Sequence, residues 1–126
     1  MIRRILALAL VAVFAGVLVA GCSETEQQTI ENTVRDYYSA YNDGAWDGCL
    51  GHIYDANNLG AGAIRSALEE SKAATGDVTV DSVENVIIAG SSATADIKTN
   101  STGGPKTQRW TFVKTDSGWT IRFPFG

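Results

Sequence analysis

The stretch TIENTVRDYYSAYNDG, residues Thr29–Gly44, decides the fold class. Ile30, Val34, Tyr37, Tyr38 and Tyr41 fall on one helical stripe, at spacings of four, three, one and three. An apolar stripe with a period near 3.6 residues marks an amphipathic helix that needs a partner surface. Asn42-Asp43-Gly44 stops it. The partner surface lies further along the chain. From Asp77 the period drops to two. The segment Asp77–Ile88 is rich in β-branched residues, and a phase break near Asp81-Ser82 predicts a β-bulge.

ATADIKT, residues 93–99, alternates with Ala93, Ala95 and Ile97 on one face and Thr94, Asp96 and Lys98 on the other. NSTGGP, Asn100–Pro105, reads as a loop. TQRWTFVK places Trp110 and Phe112 on the apolar face, and TDSG predicts a hairpin turn. WTIRF then puts Trp119, Ile121 and Phe123 inward, with Thr120 and Arg122 outward. Between the first helix and the strands lie two more helical segments. In AWDGCLGHIYDA, Trp46, Cys49, Leu50, Ile53 and Tyr54 keep helical spacing, weakened by Gly48 and Gly51. Asp43 is placed to cap it. AIRSALEESKAAT carries Ile64, Ala67, Leu68 and Ser71 on one face and stops at Gly76. Three helices followed by four antiparallel strands predict an α+β fold.

The first residues follow a different logic. Arg3 and Arg4 precede an uncharged apolar run from Ile5 to Val19, and small residues lead to Cys22. That is the layout of a secretory signal. Val19-Ala20-Gly21-Cys22 resembles the lipobox of bacterial lipoproteins. The resemblance implies a diacylglyceryl group on Cys22, cleavage before it and attachment to the cell membrane. The organisation expected is a signal over 1–21, a lipidated cysteine and short tether over 22–27, and one domain over 28–126. Which membrane holds the lipid is left open.

The chain has 126 residues, with 10 Lys+Arg and 14 Asp+Glu. Loss of Arg3 and Arg4 with the signal leaves eight basic against fourteen acidic residues, a net of −6. An acidic domain lacks the basic patch that phosphate contacts require, so no nucleic-acid partner is expected. With Cys22 lipidated, Cys49 has no partner for a disulfide and reads as a small buried hydrophobe. One histidine and no Cys-x-x-Cys give no basis for a zinc site, and no metal or cofactor is expected. Gly60-Ala61-Gly62 lacks the lysine and preceding strand of a phosphate loop.

The helical stretch from Val34 to Asp55 and the closing hairpin WTFVKTDSGWTIRF together resemble the nuclear-transport-factor-2-like superfamily, which includes ketosteroid isomerases and polyketide cyclases. The resemblance spans about residues 27–125. It implies a cone, in which a curved sheet wraps the first helix and leaves a pocket. Relatives of this kind include acid–base enzymes, binding modules and scaffold subunits, so function has to come from the residues. The inward strand positions carry no proton-transfer group. Tyr37, Tyr41, Trp110 and Phe112 are the candidate ligand-binding residues, for a small apolar ligand. His52, oriented by Asp55 at i+3, is the candidate general base. The reading is a non-catalytic, membrane-anchored envelope lipoprotein that binds a small ligand or a protein. The alternative is an isomerase- or cyclase-like enzyme using His52, Asp55 and a tyrosine hydroxyl. A homodimer formed through the sheet is a third possibility, argued against by a polar outer face.

Overall fold

The structure, a computed structural model, describes residues 26–125. The signal segment, Cys22 and the start of the tether lie outside the described residues. The first helix, α1, covers residues 26–43 and is already helical at Glu26, inside the stretch read as tether. A short helix α2 (Trp46–Leu50), a strand β1 (Ile53–Asp55) and a helix α3 (Ala61–Thr75) follow. Four strands complete the chain: β2 (Thr79–Ala89), β3 (Ser92–Ser101), β4 (Gly104–Thr115) and β5 (Gly118–Phe123). The sheet order is β1-β5-β4-β3-β2, antiparallel except for the parallel β1–β5 pair.

The core is the union of the two predicted faces. Ile30, Val34, Tyr37 and Tyr41 from α1 are buried against Ala93, Ala95, Ile97, Trp110, Phe112 and Ile121 from the sheet. Ile64 and Leu68 from α3 close one side. The bulge expected near Asp81-Ser82 is present as a register shift between Val80 and Ser82. A second shift lies between Glu84 and Ile87, where Asn85 takes a positive φ of 53°. Asparagine enters that region more readily than most residues. Two bulges in one strand bend it, which curves the sheet around α1.

Three local expectations are corrected. The second helical segment ends at Leu50, and Ile53–Asp55 form a fifth strand. The tertiary pairing overrides the helical spacing of Ile53 and Tyr54. Ile121 N donates to His52 O at 2.7 Å, and Ala56 N donates to Phe123 O at 3.2 Å. These bonds satisfy an edge of β5 that would otherwise go unpaired. Asp43 does not cap α2, whose N-cap is Ala45 with no side-chain bond. The loop expected over Asn100–Pro105 is a tight hairpin, with Asn100 paired to Pro105 and Ser101 to Gly104. Pro105 is tolerated because β5 pairs only with the far half of β4, from Phe112 to Thr115.

Candidate ligand-binding cavity

One turn of α1 supplies three tyrosines, Tyr37, Tyr38 and Tyr41. Their rings contact one another edge-on or tilted at centroid distances of 5.0–6.1 Å. Tyr37 and Tyr38 also rest on Trp110, at 6.0 and 5.8 Å. After the cis Phe123–Pro124 bond, Phe125 stacks on Trp110 at 4.7 Å and meets Tyr37 edge-on at 5.5 Å. These aromatic contacts fix the floor of a cavity of about 230 Å³ between α1, α3 and the inner face of the sheet. Leu68 and Ser71 form its α3 wall, and Thr99 and Gln108 its sheet wall. That volume lies just below the roughly 300–1,000 Å³ of pockets that take drug-sized ligands.

The polar groups are held by specific bonds. Tyr41 Oη donates to Ser71 Oγ at 3.0 Å, which ties α1 to α3 across the cavity. Asn42 clamps the start of the sheet: its Nδ2 donates to Val78 O, and its Oδ1 accepts from Val78 N, both at 2.8 Å. Lys72 Nζ donates to Asn42 O, and Thr102 Oγ1 donates to Thr75 O at 2.8 Å. So the C-terminal ends of α1 and α3 and the β3–β4 hairpin are fastened together at the cavity's polar end. Burial, reinforced by the neighbouring phenols, holds the Tyr37 and Tyr38 hydroxyls well above the usual phenol range. Burial thus makes both phenols weaker acids, neutral groups that can donate a hydrogen bond.

The candidate residues from the sequence separate into groups. Tyr37 and Tyr41 line the cavity. Trp110 and Phe112 are 1% and 0% exposed; they lie in the core and outside the lining. The Trp110 Nε1 is buried with no hydrogen-bond partner among the described residues. His52 and Asp55 are also outside the lining. They were expected one turn apart on a helix, but the helix ends before them. Asp55 instead accepts hydrogen bonds from Leu59 N and Gly60 N, each at 2.8 Å. Those backbone donors, Gly60 foremost, hold its carboxyl below the usual range. Cys49 is fully buried, and its Sγ donates to Tyr37 O at 3.7 Å. Burial pushes its thiol up to about 11, against a smaller opposing effect of Lys72. Among the described residues, no group of three or more His, Cys, Asp or Glu is placed to hold a metal ion.

The sequence reading missed Thr99, Ser101, Lys106 and Gln108, which all line the cavity. The signal was available. Alternation back from Trp110 reaches Gln108 and Lys106, and alternation forward from Ile97 reaches Thr99 and Ser101. Thr99 and Gln108 lie inside the strands read from the sequence, where only the apolar positions were assigned to the inner face, and treating Asn100–Pro105 as a loop cut off Ser101 and Lys106.

Comparison with solved structures decides the fold. An NTF2-like superfamily protein from Salmonella enterica superposes with a TM-score of 0.58 at 14% identity, covering 79% of this chain and 87% of that one. The fold is nuclear-transport-factor-2-like. An NTF2-like protein from Campylobacter jejuni, described as a transpeptidase candidate, gives 0.52 at 15% identity over 77% and 96% of the two chains. A candidate polyketide cyclase from Sinorhizobium meliloti gives 0.53 at 17% identity over 72% and 92%. The chain matches no protein-family model, and no curated protein matches it. At these identities the likeness fixes the cone-shaped nuclear-transport-factor-2-like architecture, while the activity has to be read from the cavity itself.

Proposed function

We propose that this protein is an envelope lipoprotein, anchored through Cys22, whose cone binds a small ligand without transforming it. The observation that carries the ligand reading is the cavity lining. It combines neutral tyrosine hydroxyls with a wall of aromatic and aliphatic carbon. Such a site fixes a ligand by shape and a few donors. The lining holds no carboxylate or imidazole among the described residues. The isomerase- or cyclase-like alternative requires a base beside the tyrosines. Of its two named groups, Asp55 is committed to the Leu59 and Gly60 amides, and His52 lies outside the cavity.

The anchor gives the cavity a direction. Residues 23–25 let Cys22 lie at most ~14 Å from the start of α1. Glu26 pairs with Lys114 at 2.9 Å, and Lys114 N donates to Ser91 O at 2.8 Å. The end of the cone carrying those groups therefore faces the membrane. Tyr41 stands about 22 Å further along the α1 axis. A lipid-anchored domain so placed opens its cavity toward the aqueous compartment, and ligand arrives from there.

Metabolic labelling with an alkyne palmitate analogue tests the anchor. Wild type is expected to incorporate label and Cys22→Ala to incorporate none. Equal incorporation by the two removes the anchor from the proposal.

A further inference from the structure

Lys106 stands apart from the other lysines of the described domain. Lys72 faces Asp77 at 3.8 Å, Lys98 faces Glu84 at 3.3 Å and Lys114 faces Glu26 at 2.9 Å. Lys106 has no hydrogen-bond or ion-pair partner among the described residues, in a domain where acids outnumber bases. Its position is not arbitrary. Lys106 pairs across the sheet with Thr99, and Gln108 pairs with Ile97. Alternation places Lys106 and Gln108 on the same inner face as Trp110 and Phe112. Lys106 is the single charged residue of the cavity lining, and it is exposed at the rim.

The groups around it are neutral. Thr99 and Ser101 bring hydroxyls and Gln108 an amide that can donate, while the Thr75 hydroxyl donates to Ser71 O at 3.0 Å. Below them the lining turns to Leu68, the tyrosine rings, Phe123 and Phe125. The cavity is therefore an apolar well with one cation and several neutral donors at its mouth.

We infer that the cavity selects a small organic monocarboxylate, seating its apolar body against the tyrosine and phenylalanine rings and its carboxylate at Lys106. One lysine with neutral donors matches a single negative charge. A phosphate dianion is better served by several cations or an arginine fork, and the lining contains neither. This inference rests on the reading of the cavity as a ligand receptacle, and it adds the charge and size class of the ligand.

The test uses the full chain in lipid nanodiscs, with empty discs as the blank. Calorimetry would compare hydrocinnamate with its uncharged amide, hydrocinnamide. An exposed charge pair contributes up to about 1 kcal/mol, so the acid should bind about fivefold tighter than the amide. Lys106→Gln should remove that preference, bringing acid binding down to the level of the amide. Lys106→Arg should keep it. Lys98→Gln, a charge loss of the same size on the outer face, should leave the preference intact. High salt should narrow the gap between acid and amide. Equal binding of the two compounds, unaltered in Lys106→Gln, overturns the carboxylate inference and leaves the cavity reading standing. Binding of neither compound overturns both. An equal loss of preference in Lys98→Gln also overturns the inference, because the effect would then be one of net charge.

Discussion

At the scale of single residues, the chemistry went where the backbone needed it. Asp55 looked like a partner for His52, yet its two oxygens satisfy the amides of Leu59 and Gly60 at the entry to α3. Buried and loop amides demand acceptors, and a short carboxylate supplies them in the manner of an N-cap. That use has a pH signature. The carboxyl of Asp55 is held below its ordinary value, so its contribution to stability is present above about pH 4 and disappears as the pH falls further. Glu84, bonded by Ser82 and Lys98, and Asp96, bonded by Arg109 and Asn85, shift in the same direction. The informative measurement is therefore the difference between wild type and Asp55→Ala. The melting temperature of the variant should be lower at pH 7, and the gap should close as the pH falls toward 3. A gap that is constant with pH would show that the carboxylate's charge does not matter.

At the scale of elements, the two glycines of α2 have different causes. Both lower helix propensity, which was the only reading open to the sequence. Gly51 is the C-cap of α2 and leads into β1. Gly48 marks a close approach: a Cβ added there would lie 3.2 Å from Ala40 Cβ on α1. Ala40 is held in the last turn of α1 and has no side-chain freedom with which to retreat. Gly48→Ala gains about 1 kcal/mol of helix propensity but meets an overpacking cost of about 1–3 kcal/mol. The expected result is a net loss, on the order of 1 kcal/mol, read from chemical denaturation. A stabilised variant would mean that α1 and α2 separate freely. The same scale explains β1. A three-residue strand has little intrinsic preference of its own, and it forms because β5 offers an unpaired edge. Spacing along the chain could not reveal that edge, since β5 lies more than sixty residues away.

At the scale of the whole molecule, the outer face of the sheet is already occupied by its own charges. Asp96 pairs with Arg109 at 2.9 Å and accepts from Asn85 at 2.8 Å, while Lys98 faces Glu84 at 3.3 Å. Thr120, expected to point to solvent, is buried and donates to Val113 O at 2.8 Å. Such a face gains little by covering itself with a second copy, because its ion pairs would have to be desolvated. We expect the soluble domain, residues 23–126, to sediment as a monomer at micromolar concentration. A concentration-dependent dimer would overturn that expectation. The sequence by itself determined the amphipathic first helix, the inward faces of β3, β4 and β5, the first bulge in β2 and the α+β class. Each of these is a local period, written by residues within a few positions of one another. Tertiary structure alone decided the fifth strand, the hairpin at Thr102-Gly103, the use of Asp55 and the assembly of the cavity. Those features depend on which backbone edges and amides remain unsatisfied after distant segments meet. Lys106 lies between the two cases. Its face followed from simple alternation, but its place at the mouth of an apolar well required α1, α3 and the sheet to close around it.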